Sequence, residues 1–245
     1  MTCDMEKLSP ELRARVEPFC KRMLDATGAP VAVYLVGPSA RGEFSAANPE
    51  IQLLFVYESI TPELLDSVAR MGSSFGSSGI RAPFLFSREP MERARDVFPM
   101  QFLDLLKSHI PLGGEPVLEK VEIDPGHLRL QCERELRTLR INLSQAYLRS
   151  AGDLSWLAHW LREEVVNLFP VLRAMLYLMH EDAGAGNTEV ARRLSERCKV
   201  DLSPFVEVWT LRKAGKTPPK DMTRMLFLRW YETLESLVRI ADVME

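Results

Sequence analysis

The sequence predicts an α+β fold in which a small mixed-sheet domain, residues 1–122, is followed by an all-α helical bundle, residues 123–245. Two textures of the chain carry this reading. Up to about residue 122, helix-start signals alternate with short β-branched and aromatic runs, whereas from Leu128 onward apolar residues recur in steps of three and four. A chain of 245 residues, 46% apolar and 27% charged, can bury one large or two small cores and lies outside the disordered compositions.

In the first half, Ser9-Pro10-Glu11 combines a hydroxyl cap, a proline suited to the first helical position and an acid suited to the positive end of the helix dipole. That helix is expected to end near Gly28. Val31 to Val36 and Ile51 to Tyr57 read as buried strands. Thr61-Pro62-Glu63 repeats the helix-start chemistry for a helix reaching about Met71, and the glycine- and serine-rich segment Gly72 to Gly79 reads as a flexible connection. Ile80 to Phe86 is a third strand candidate. Arg88 to Val97 and Gln101 to Lys107 read as short helices separated by Phe98-Pro99, and Gly113-Gly114 as a turn.

In the second half, Cys132, Leu136, Leu139, Leu143 and Ala146 share one helix face. Gly152 and Asp153 read as a stop followed by a cap. Leu154, Leu157, Leu161, Val165, Leu168, Leu172, Met175 and Met179 continue the spacing, with Pro170 expected to kink the helix rather than end it. Thr188 to Cys198, Ser203 to Ala214 and a last helix with Leu226, Trp230, Leu234, Leu237 and Ala241 on one face complete a bundle of about five members.

Charge and composition exclude several function classes. With 31 basic against 34 acidic side chains the formal charge is −3, which disfavours nucleic acid and anionic membranes as general partners. Arg173 interrupts the best apolar run, Phe169 to Met179, so no membrane span is expected. The first residues lack the basic start and apolar centre of a secretory signal. Cys3, Cys20, Cys132 and Cys198 form no C-x-x-C pair, which disfavours a zinc site or disulfide framework and points to the reducing cytoplasm.

The specific segment is Gly37-Pro38-Ser39-Ala40-Arg41-Gly42-Glu43, followed by Pro49-Glu50-Ile51-Gln52-Leu53-Leu54-Phe55-Val56. It resembles the nucleotidyltransferase superfamily of polymerase-beta-like fold, in particular the small-molecule branch typified by kanamycin nucleotidyltransferase. That family's pattern is a strand, then G-S-x-A-R-G-E, then S-D-x-D opening the next strand. The resemblance spans Val31 to Val56, and the helical bundle behind the sheet also fits that branch. It implies that Gly37, Ser39, Arg41, Glu50 and Gln52 face the nucleotide, and that acids two residues apart on one strand face hold Mg²⁺.

The departures set the functional expectation. Aligned on S-D-x-D, the chain has Glu50 for the first acid and Gln52 for the second, with one extra residue before the pair; Pro38 replaces the family's serine, although Ser39 follows. Ile80 to Phe86 holds no third carboxylate. Two Mg²⁺ ions need more negative charge than one glutamate supplies, and a glutamine offers only a neutral carbonyl oxygen. The resemblance thus implies a degenerate member, with catalysis lost or weakened and a residual nucleotide-binding or regulatory role. Two alternatives stand beside it. One is an active Mg-dependent transferase moving a nucleotidyl group from an NTP to a small hydroxylated acceptor, with Glu43 or Glu58 completing the acids. The other is a structural or interaction protein without nucleotide. Related proteins often dimerise, and the apolar bundle suits a homodimer.

Further constellations lie in the bundle. If the first long helix lines the cleft, Arg137 and Arg140 would take phosphate oxygens and Glu133 or Glu135 would serve as general base; otherwise these alternating charges form a solvated, ion-paired face. Arg173 and His180 resemble the R-x4-6-H motif of HEPN ribonucleases, and seven residues is about two turns, which would place both on one face. Gly72-Ser73-Ser74-Phe75-Gly76 fits G-x-S-x-G without the strand-turn-helix context of a nucleophile elbow. Ala214-Gly215-Lys216-Thr217 resembles the end of a P-loop without its preceding strand. Trp156, Trp160, Trp209 and Trp230 read as core packing rather than a ligand cage.

Overall fold

A computed structural model describes residues 5–42, 44, 50–72, 75–76, 79–88, 98–183 and 186–244. The chain divides into two compact units, Met1–Ile123 and Asp124–Glu245.

The first unit contains strands β1 (Ala32–Val36), β2 (Gln52–Tyr57), β3 (Phe84–Ser87) and β4 (His109–Gly114), with helices α1 (Pro10–Thr27), α2 (Pro62–Ala69) and α3 (Pro99–Lys107). The sheet order is β3-β2-β1-β4; β1 runs antiparallel to both neighbours and β2 runs parallel to β3. Ser9 accepts a hydrogen bond from the Leu12 amide and Thr61 one from the Leu64 amide, so both proline-led helix starts carry their hydroxyl caps.

Helices cover both faces of the sheet, which is why β1 is apolar at every position instead of alternating. Val33, Leu35, Leu53 and Phe55 pack with Val16, Phe19 and Met23 of α1. On the other face Tyr34, Val36, Leu54 and Val56 pack with Phe102 of α3. The one polar group on that face of β1 is satisfied: the Tyr34 hydroxyl accepts from the Val117 amide at 3.0 Å and donates to the Glu115 carbonyl at 3.0 Å.

Three sequence expectations are corrected here. Gly113-Gly114 is the end of β4 rather than a turn. Proline and two glycines read as breakers, but an edge strand tolerates Pro111, and a Cβ at Gly114 would collide with the Val31 carbonyl oxygen. The third strand begins only at Phe84, because Pro83 cannot donate to a ladder; upstream, Ile80 makes a single parallel bridge to Ile51. The Gly72–Gly79 segment is anchored in its described part, with Phe75 packed on Phe19 at 5.8 Å between ring centres and the Gly79 carbonyl accepting from the Ile51 amide. The helix expected over residues 88–97 and the serines of the G-x-S-x-G match lie outside the described residues, apart from Arg88.

The second unit is built from α4 (Pro125–Ser150), α5 (Leu154–Leu178), α6 (Asn187–Cys198), α7 (Ser203–Lys213) and α8 (Lys220–Val243). Asp124 caps α4 by accepting from the His127 amide at 2.8 Å, and Asp153 caps α5 by accepting from Ser155 and Trp156. Cys132, Leu136, Leu139, Leu143 and Ala146 are buried, as are Leu157, Leu161, Val165, Leu168, Leu172 and Met175; α5 runs on through Pro170. It packs against all four other helices, so its stripe is the core of the bundle. Trp230 donates its indole N–H to the Pro204 carbonyl and meets Phe205 edge-on at 4.9 Å.

Candidate functional site

The site is assembled where β1 ends and β2 begins. Gly37 follows Val36 with φ of 70°, and the chain then coils back on itself: the Ala40 and Arg41 amides both donate to the Gly37 carbonyl. Val36 pairs with Gln52, which places the first residue of β2 beside this turn. A Cβ added at Gly37 would strike Gln52 Oε1, so the glutamine side chain lies directly on the turn. Ser39 is buried, and its hydroxyl donates to the Glu50 carbonyl at 3.1 Å. The serine therefore ties the turn to the chain entering β2.

Strand alternation explains which side chains gather. Ile51 and Ile80 point into the α1 face of the sheet, so Glu50, Gln52 and Arg81 belong to the opposite face. There Arg81 donates to Glu50 Oε1 at 2.6 Å, with side chains 56% and 45% exposed respectively. Arg41, largely buried at 14% side-chain exposure, lies 3.6 Å from Asp104 of α3. Four charged groups thus pair as two cations with two anions.

The structure brings Gly37, Ser39, Glu50 and Gln52 together and turns Arg41 toward α3. Sequence reading missed Asp104 and Arg81. Asp104 carried no local signal, being one acid on an amphipathic helix. Arg81 carried no local signal either, since a half-exposed glutamate is satisfied by water and does not announce an ionic partner.

A magnesium pair does not fit this donor set. Glu50, expected as a metal ligand, already shares its carboxylate with a guanidinium, and Gln52 adds no charge. Among the described residues no group of three or more His, Cys, Asp or Glu is placed to hold a metal ion. Glu58, the alternative acid, pairs with Arg88 at the far end of β2. Eight residues of extended chain separate it from Glu50, about 26 Å at ~3.3 Å per residue. Glu43 lies outside the described residues.

The bundle residues singled out from sequence serve the bundle itself. Arg137 bridges Glu133 and Asp242 at 2.9 and 2.8 Å, Arg140 reaches Glu235 at 3.1 Å, and Glu133 also lies 3.5 Å from Arg129. Arg137–Asp242 and Arg140–Glu235 join α4 to α8, while Glu133 pairs with Arg129 and Arg137 within α4, so these side chains form the ion-paired helix face that their alternating charges also allowed. Glu135 lies 3.6 Å from Arg134.

Arg173 donates to Asn187 at the start of α6, whereas His180 sits past the end of α5 with φ of 58°, where the Glu181 amide closes on the Leu176 carbonyl. That left-handed stop takes His180 off the helical spacing that would align it with Arg173. Gly215 and Lys216 likewise donate their amides to Arg212 and Leu211, so the P-loop-like segment is the closing turn of α7. The cavity bordered by Trp160 and Trp230 holds about 10 Å³, room for roughly one water molecule.

No helix among the described residues is long and apolar enough to cross a membrane. No family model matches the chain, and no curated protein matches it.

Proposed function

We propose that the sheet unit binds a nucleotide or similar phosphate-bearing small molecule and has lost or weakened the metal-dependent transfer chemistry that its motif resemblance implies. The observation that carries this reading is the seating of Gln52 on the Gly37 turn. Under the resemblance Gln52 aligns with the second acid and Gly37 with the phosphate loop, and a neutral amide then stands where the transfer chemistry needs an anion. The Glu50–Arg81 pair supports the same reading, because it balances the remaining acid without a metal.

Calorimetric titration with ATP, GTP, CTP and UTP, with and without Mg²⁺, tests it. Binding heat that persists in EDTA is expected. Binding seen only with Mg²⁺, together with labelled NMP appearing in an acceptor, would restore the active-enzyme alternative.

A second reading, an interaction protein without nucleotide, is favoured by one surface feature. Leu130, Ile141 and Leu148 are 54%, 57% and 69% exposed and, by helical geometry, share one face of α4. That reading expects no thermal shift with any nucleotide and a self-associated species in sedimentation.

A further inference from the structure

We infer that Arg81 is the phosphate-recognising cation of this site, held in reserve by Glu50 and released when an anion enters. The inference rests on the nucleotide-binding reading above and names the residue that makes such binding independent of metal.

Three observations carry it. The pair is short, 2.6 Å, so Glu50 has a defined partner. It is also half exposed on both sides, so it can open to solvent without disturbing the core beneath. Arg81 is positioned by backbone: its amide donates to the Ile51 carbonyl at 2.9 Å, and the neighbouring Ile80 is fully buried, which starts the Arg81 side chain on the sheet face that carries Gln52. A planar guanidinium presents paired donors matched to phosphate oxygens. Arg41 is less suited, being largely buried beside Asp104.

The inference reverses the sign expected of Glu50. In a metal-dependent site Glu50→Gln removes a ligand and weakens nucleotide binding. Here it removes Arg81's competing anion and should strengthen binding.

The test is ATP titration by calorimetry in EDTA on the full chain and three variants. Glu50→Gln should bind roughly two- to fivefold tighter than wild type, the fold-change equivalent of an exposed ion pair. Arg81→Gln should lose most of the affinity, and Arg81→Lys should recover part of it, since lysine restores charge but not the fork. Weaker or unchanged binding by Glu50→Gln, or unchanged binding by Arg81→Gln, overturns the role of Arg81 while leaving the nucleotide-binding reading in place. Absence of binding by both wild type and Glu50→Gln removes the two together. Because both residues are half exposed, the variants should fold, and matching far-UV circular dichroism verifies this.

Discussion

Gln52 rests its side-chain amide oxygen against the backbone of Gly37, in the space that a Cβ would fill. The demand for glycine at position 37 comes from its left-handed backbone, with φ of 70°, and the missing Cβ leaves the space that the Gln52 side-chain end occupies. Position 52 starts beside the turn because its partner across the ladder is Val36, so its side chain leaves the strand next to Gly37.

Gly37→Ala is expected to destabilise the sheet unit by about 1–2 kcal/mol, from left-handed strain, while the end of the Gln52 side chain swings aside. Adding Gln52→Ala should recover little of that loss, since the strain lies in the backbone. Hydrogen exchange at the β1 and β2 amides measures both. Equal protection in wild type and Gly37→Ala would contradict the described turn.

Gln52→Asp alone should raise divalent-cation affinity only slightly, because Glu50 stays bound to Arg81. Combined with Arg81→Gln, two carboxylates become available on one strand face, and affinity should rise by roughly a further tenfold. Paramagnetic resonance of free Mn²⁺ reads both values. The full gain from Gln52→Asp alone would mean that Arg81 does not hold Glu50.

Acid should weaken the bundle through Glu189, whose carboxyl is lowered to about 2 by hydrogen bonds first from Arg192 and then from Arg193. A depressed acid stabilises the folded state above its ordinary value of 4.5, and that contribution is lost as pH falls from there toward 2. Asp201 and Glu163, lowered by Ser203 with Arg229 and by Arg212 respectively, act in the same direction. Trp156, Trp160, Trp209 and Trp230 all lie in the bundle, so indole fluorescence follows its unfolding. Glu189→Gln should show a smaller loss of melting temperature between pH 6 and pH 3 than wild type; an unchanged loss would assign acid sensitivity to the other carboxylates.

Local chemistry was legible from the chain alone wherever a few adjacent residues decide it. Ser9-Pro10, Thr61-Pro62 and Gly152-Asp153 set helix boundaries because a capping side chain, with a proline in the first two, acts within one turn. The stripe from Leu157 to Met175 declared a buried helix, since periodicity is a property of the sequence itself. Gly37 and Gln52 could be aligned for the same reason, as the ends of two adjacent strands joined by one short excursion.

What the tertiary structure decided is which distant groups meet. His109–Gly114 is a strand because β1 offers it an edge, not because Pro111 or its glycines favour one. Arg137 and Arg140 are committed to Asp242 and Glu235, residues about a hundred positions away that only helix packing brings near. Arg81 reaches Glu50 because the parallel bridge between Ile80 and Ile51 sets Arg81 beside Gln52, from where its long side chain extends diagonally to Glu50 on the same face. An ionic partner is chosen by distance in space, and a one-dimensional pattern carries that distance only within a helix turn or a strand pair.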